Sequence, residues 1–293
     1  MINGVFTALA TPFTKEGEVD FENLIKLVNA QLQAGVDGLV LLGTTAEAAT
    51  LSQSEKQAIL KTCVPLLKGK KLIIGTGTNN TASTLENILS VQSFHPDAVL
   101  VVTPYYNKPN PAGLIAHYQT VAKAGIPLIM YHIPGRTGLK VPAPVLEKVL
   151  QNVPQIVGIK ESDYDMTHVT ETAVNYSHKI SYFCGNDDLF PHYLSLNCAG
   201  IISAAGNVFA PAFVKIYNLF KQGKTTESFH LFSAVYPLIK ACYYETNPTC
   251  VKYMLSKFGF GEETVRLPLG PVSAENKARI DTLLATVDPS WRI

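Results

Sequence analysis

Eight short runs rich in Val, Ile and Leu punctuate the chain. They open near Val5 (VFTALA), Gly38 (GLVLLG), Leu72 (LIIG), Ala98 (AVLVVT), Pro127 (PLIMYH), Ile156 (IVGIK), Ile180 (ISYFC) and Gly200 (GIIS). None alternates strictly between apolar and polar positions, which is the pattern of parallel strands covered on both faces. Between the runs the apolar spacing becomes that of a helix. Phe21, Leu24, Ile25, Val28 and Leu32 fall on one stripe, and Gly35 suits the residue that ends it. Ser52 with Glu55 spells a capping box ahead of Ala58, Ile59 and Leu60, and Pro65 ends or kinks that helix. Stretches 87–94, 114–124 and 145–150 read as helices between later strands.

Eight strand–helix units joined by right-handed crossovers are most simply satisfied by closure into a barrel. An open doubly wound sheet is the alternative, and no G-x-G-x-x-G follows the first strand to support it. The expected fold is therefore α/β: a (β/α)8 TIM barrel over residues 1–223 with a C-terminal helical appendage over 224–293. The appendage reads as helices at 227–243, 248–258 and 274–285, with no Gly/Ser-rich linker before it, so it is expected to pack on the barrel.

Composition narrows the function. A hydrophobic content of 47% with 16% charged residues over 293 positions suits a large buried core and excludes a mainly disordered chain. A net charge of +1 leaves no basic excess for a nucleic-acid backbone, so no nucleic-acid partner is expected. No apolar run approaches the roughly 18 to 20 residues that cross a bilayer, and no membrane association is expected. The first eleven residues carry neither a basic region nor a signal-like apolar core. Cys63, Cys184, Cys198, Cys242 and Cys250 are odd in number and form no C-x-x-C or zinc-like spacing with histidine. They read as reduced thiols of a cytosolic protein.

In a barrel of this kind chemistry gathers where the strands end. Lys160 follows the apolar run Ile156–Ile159 and is expected to project into the barrel mouth. Desolvation there disfavours the charged form and leaves a nucleophilic amine suited to imine formation with a ketone or aldehyde. The other reading is a structural ion pair, but the neighbouring Glu161 alternates to the opposite side of the strand. Gly43-Thr44-Thr45 reads either as a carboxylate cradle or as an ordinary capped turn. Tyr131, one strand before Lys160, offers a phenol as proton donor and acceptor, or a buried structural hydroxyl. Arg136, in the I-P-G-R-T-G loop, suits bidentate grip of a carboxylate, against the alternative of a solvated surface arginine. Tyr105 and Tyr106 are compatible with core, interface or site. His132 is expected to face the helix layer as a structural residue, and the seven histidines form no recognisable metal constellation.

Taken in order, the motifs G-T-T-x-E (43–47), P-Y-Y-N-K-P (104–109), Y-x-I-P-G-R-T-G (131–138), G-I-K-E-S (158–162), E-T-N-P (245–248) and R-L-P-L (266–269) resemble the dihydrodipicolinate synthase family. The resemblance runs from Gly4 to about Ser273. It implies condensation of pyruvate with L-aspartate 4-semialdehyde on the way to diaminopimelate and lysine. Lys160 then matches the imine-forming lysine, and Tyr131 the proton shuttle at the imine. Thr45 and Tyr106 match the rest of a hydroxyl relay, with Tyr106 supplied across a tight dimer. Thr44 and Thr45 match the carboxylate-binding turn, Ile202 a backbone contact to pyruvate, and Arg136 the residue that receives the aldehyde's carboxylate. The family is usually a dimer of dimers and uses no organic cofactor or catalytic metal. Sialic-acid and hydroxy-oxo-acid lyases of the same superfamily, or a non-catalytic keto-acid sensor, are the alternatives, and the relatives usually lack the arginine loop.

Two departures from the family pattern matter. Ala46 stands where glycine is usual, and is strained if its φ is positive. The positions matching the lysine-feedback site include Ala48, Gln53, Lys56, Asn79, Ser83 and Tyr105. An ammonium effector there meets the like charge of Lys56 and no carboxylate at Ser83, so weak or absent inhibition by lysine is expected.

Overall fold

The structure is a computed structural model describing residues 1–293. Its eight strands are β1 (Gly4–Ala8), β2 (Gly38–Leu41), β3 (Lys71–Gly75), β4 (Ala98–Val102), β5 (Leu128–His132), β6 (Ile156–Glu161), β7 (Ser181–Cys184) and β8 (Gly200–Ser203). They close in chain order into one barrel, as the recurring apolar runs imply. The neighbours whose register is resolved pair in parallel, and β1, β2, β5, β7 and β8 are buried at every position. Burial on both faces is why these segments lack alternation; each fully buried Val, Leu or Ile contributes about 1.5–3 kcal/mol.

Helices α1 (Phe21–Gln33), α2 (Gln53–Cys63), α3 (Thr81–Ser90) and α4 (Pro111–Val121) follow the first four strands. Next come α5 (Pro134–Thr137), α6 (Ala143–Asn152), α7 (Met166–Tyr176), α8 (Phe190–Ser195) and α9 (Gly206–Lys221). The appendage supplies α10 (Thr225–Ala241), α11 (Thr249–Lys257) and α12 (Ala274–Leu284). Helix α1 starts because the Asp20 side chain accepts the Asn23 N–H, and it buries Leu24, Leu27 and Val28. The reciprocal Ser52–Glu55 capping box starts α2, which ends at Cys63 and tightens into a 3-10 turn containing Pro65. The helix read at 87–94 begins earlier than expected, at Thr81, because Asn80 caps the Ser83 N–H; its end is a separate 3-10 turn over Gln92–Phe94. The I-P-G-R-T-G segment, expected as a loop, forms the one-turn helix α5, closed by Gly138 at φ 66°.

The chain packs as two compact units, Met1–Asn3 with Lys71–Ile202, and Gly4–Lys70 with Ser203–Ile293. In the second unit α10 and α11 pack on α9, and α12 is tied to α11 by Asp281, which accepts from Tyr253 and Lys257. Glu245 accepts the Ser273 N–H and hydroxyl and the Asn276 amide, fixing the start of α12. No helix is long and apolar enough to cross a membrane.

Candidate active site

The pairing of β5 with β6 sets Tyr131 opposite Lys160, and that of β6 with β7 sets Lys160 opposite Phe183. Paired residues of parallel strands project from the same face, so the amine and the phenol emerge together. Lys160 is only 6% exposed, and its Nζ stands 4.4 Å from the centre of the Tyr131 ring. It forms no salt bridge. The candidate ion-pair partner, Glu161, turns to the other face and is completely buried there. Its carboxylate oxygens lie 2.8 and 2.9 Å from His132 Nδ1. His132 Nε2 accepts the Val141 N–H at 3.1 Å, so the ring carries its proton on Nδ1 and donates it to Glu161. The Asp163 N–H adds a further bond to Glu161 at 2.8 Å. Burial pushes the Glu161 carboxyl up, but the hydrogen bond from His132 and the His168 ring 3.7 Å away outweigh it and hold it below the usual range. The nearby Glu161 carboxylate raises His168 in turn, against its own burial.

His132 is thus the structural histidine that strand alternation implied. The reading that the histidines form no metal constellation needs correction, however. His132, Asp163 and His168 bring potential ligand atoms within 4.8 Å of one another. His132 is far in the chain from Asp163 and His168, so only the fold brings it to them. Both ring nitrogens of His132 are nevertheless engaged, and the Lys140 ammonium stands 3.5 Å from Asp163 Oδ2. His132 therefore offers no lone pair to a cation, although His168 Nε2 and Asp163 Oδ2 make no hydrogen bond.

In the other unit, Thr44–Ala46 form a 3-10 turn directly after β2. Ala46 sits inside that turn with an ordinary φ, and its carbonyl accepts the Thr11 hydroxyl at 2.9 Å. The departure from glycine is therefore accommodated. The left-handed conformations fall on its neighbours Leu42 (φ 56°) and Glu47 (φ 54°), each costing a side-chain-bearing residue about 1–2 kcal/mol. Glu47 holds its conformation through two strong bonds. Its buried carboxylate accepts from Lys252 Nζ at 2.7 Å and from the Arg266 N–H at 2.8 Å. Lys252 lies 3.8 Å from the Phe13 ring centre, and burial pushes its ammonium down to about 8 despite the pull of Glu47. The Arg266 guanidinium donates to the Gly17 and Thr50 carbonyls and to Glu55, whose carboxyl it holds down at about 2. Asn247 Nδ2 donates to the Thr45 hydroxyl at 3.0 Å, leaving the Thr45 O–H to donate elsewhere.

Sequence reasoning used E-T-N-P and R-L-P-L only as marks of resemblance. It assigned no role to Glu47, Asn247, Lys252 or Arg266. A buried cation paired with an acid 205 residues away leaves no periodic trace in the chain. Of the remaining expected site residues, Thr44 and Arg136 are exposed, and Ile202 is buried near the end of β8. Tyr106 stands 88% exposed at φ 68°, its N–H 3.4 Å from the Thr137 carbonyl. All five cysteines are free and buried, and burial pushes Cys63 up to about 12, so none is primed as a nucleophile.

A closed barrel with a buried amine beside a phenol at its strand ends, in a chain matched to a lyase family, makes this a (β/α)8 aldolase-type lyase. Residues 1–287 match the dihydrodipicolinate synthetase family, and the chain belongs to it. It is 35% identical to the 4-hydroxy-tetrahydrodipicolinate synthase of Brachyspira hyodysenteriae over 97% of both chains. It is 36% identical to that of Thermotoga maritima over 93% of this chain and 94% of the relative. Among solved structures, the dihydrodipicolinate synthase of Acinetobacter baumannii, described as chloride inhibited and complexed with pyruvate, superposes with a TM-score of 0.93. It shares 31% identity and covers 97% of this chain and 98% of its own.

Proposed function

We propose that this chain condenses pyruvate with L-aspartate 4-semialdehyde to 4-hydroxy-tetrahydrodipicolinate through an imine on Lys160, in lysine and diaminopimelate biosynthesis. The observation that carries the reading is the buried Lys160 amine. It has no carboxylate clamp, it stands against Tyr131, and its one candidate counter-ion is diverted to His132. The amine adds to the pyruvate carbonyl and water leaves, so the nitrogen becomes a cationic electron sink that acidifies the methyl group. A methyl proton passes to the hydroxyl relay, for which Tyr131, Thr45 and Tyr106 are the assigned members. The resulting enamine carbon attacks the aldehyde. The aldehyde's oxygen takes a proton and persists as the product hydroxyl. The second substrate's own amine then displaces Lys160 from the imine carbon and closes the ring.

Thr44 and Thr45 are assigned to the pyruvate carboxylate, with Ile202 as a backbone contact. Arg136 is assigned to the carboxylate of the semialdehyde; its exposure on the one-turn helix α5 suits that task. Tyr106, too exposed to serve its own chain unaided, is assigned to a second copy in a tight dimer, two of which form the tetramer. The reaction calls for no organic cofactor and no catalytic metal. We assign the chemistry to the barrel, residues 1–223, and support to residues 224–293, through which Asn247 orients Thr45. Five reduced cysteines suit a cytoplasmic setting.

Incubation with pyruvate and borohydride, followed by peptide mass analysis, should place the reduced adduct on Lys160. Absence of that adduct leaves a keto-acid sensor as the better reading. A panel of aspartate semialdehyde, N-acetylmannosamine and glyoxylate should then show turnover with the first alone.

A further inference from the structure

Ser162 closes the G-I-K-E-S motif and has no part in the mechanism above. Its side chain is buried, with 4% exposure, and its Oγ makes no hydrogen bond with any protein atom. The backbone does not need that hydroxyl, because the Ser162 N–H already donates to the His132 carbonyl at 2.8 Å. Two other buried hydroxyls of this unit lack partners, those of Thr76 and Thr103. Strand parity separates them from Ser162. Val102, Tyr131 and Lys160 are paired across β4, β5 and β6, so Thr103, one residue beyond Val102, belongs to the opposite face. Gly75 pairs with Leu100, two residues before Val102, which puts Thr76 on the opposite face as well. Ser162 follows Lys160 by two and shares its face.

The space beside Lys160 confirms the direction. A Cβ built on Gly185 would stand 2.0 Å from Ser162 Oγ and 3.1 Å from Lys160 Cε. Glycine at 185 is what leaves room for the Ser162 hydroxyl and the end of the lysine side chain together. A hydroxyl buried without a partner is destabilising relative to one that is bonded. Here it lines the path of the one amine proposed to react.

We propose that Ser162 is a substrate-contacting residue whose hydroxyl hydrogen-bonds the oxygen of the bound keto acid during imine formation. The inference rests on the imine reading above. As Nζ bonds to the keto carbon, the C=O becomes C–OH and the amine's proton passes to that oxygen. A second proton, supplied by the hydroxyl relay at Tyr131, then reaches the oxygen, the C–O bond breaks, water departs and the cationic C=N bond forms. The relay regains a proton when the methyl group is later deprotonated. Ser162 neither gains nor loses a proton overall. It orients the oxygen while the C–N bond forms and releases it as water.

Rapid-quench trapping with pyruvate and borohydride, read by intact mass on the full chain, measures this step. Ser162→Ala should form the Lys160 adduct roughly tenfold more slowly than wild type, the worth of one neutral hydrogen bond in a rate. Its thermal midpoint should equal or exceed that of wild type, because an unpartnered hydroxyl has been removed. Ser162→Thr, which restores a hydroxyl, should recover most of the rate. An unchanged trapping rate in Ser162→Ala overturns the proposal, as does a defect confined to the aldehyde step or one that Ser162→Thr fails to repair. If wild type itself gives no adduct, the imine reading fails instead, which keeps the two failures apart.

Discussion

Replacing Lys252 by Met leaves the Glu47 carboxylate buried, with the Arg266 N–H as its one remaining partner of the two. Both side chains of the pair are 2% exposed, so solvent cannot take the place of the lost ammonium. Breaking a buried pair from one side typically costs 3–5 kcal/mol, because the surviving charge keeps its desolvation penalty. For a chain above the 150–250-residue class, one kcal/mol moves the thermal midpoint by about 2 °C, so Lys252→Met should melt about 6–10 °C lower at neutral pH. The same clamp restrains Glu47 in its left-handed conformation, three residues after Thr44. The variant should therefore also show a pyruvate KM several-fold higher, with a smaller change in kcat. Differential scanning calorimetry at matched concentration gives the first quantity and initial-rate kinetics the second. Adding Glu47→Gln removes the stranded charge while keeping an acceptor for Arg266, and should restore at least half of the lost stability. A Lys252→Met midpoint within 2 °C of wild type, or a double variant no better than the single one, would refute the reasoning.

Asn247→Asp replaces the amide that donates to Thr45 with an acceptor of nearly the same shape. It should lower kcat about tenfold or more with pyruvate KM little changed, and an unchanged kcat removes Asn247 from the positioning of Thr45. His168 is raised above 6.5 by Glu161, so its stabilising contribution is complete below that pH and fades as pH rises through the folded value. The midpoint difference between wild type and His168→Gln should accordingly shrink between pH 6 and pH 9; a constant difference contradicts the linkage. Lysine should inhibit weakly or not at all, given Lys56 and Ser83 at the matching positions, and calorimetric binding at submillimolar lysine would show otherwise.

The barrel was legible because its strands are buried on both sides and the helices between them, such as α1, mainly on one. Those two demands write different periods into the chain, and all eight strands lie where the apolar runs opened. Caps were legible where donor and acceptor are local, as at Ser52 and Glu55, and illegible where one polar residue decides the start, as at Asn80. For the candidate site, local order told that Lys160 and Glu161 point to opposite faces, since alternation follows from the pleat, whereas the register of β5 against β6 is what sets Tyr131 beside Lys160. It also marked Ala46 as unusual without revealing which residue bears the left-handed φ.

What the residue order determined by itself was the fold class, the strand ends and the parity of the residues on them, because these follow from interactions within a few positions. Tertiary structure alone decided that Glu47 is clamped by Lys252 and Arg266, that Asn247 donates to Thr45, and that Glu161 is satisfied by His132. It also decided that Ser162 is left without a partner beside Gly185. Each of these depends on burial, which gives an isolated charge or hydroxyl its cost, and on a neighbour that chain separation hides.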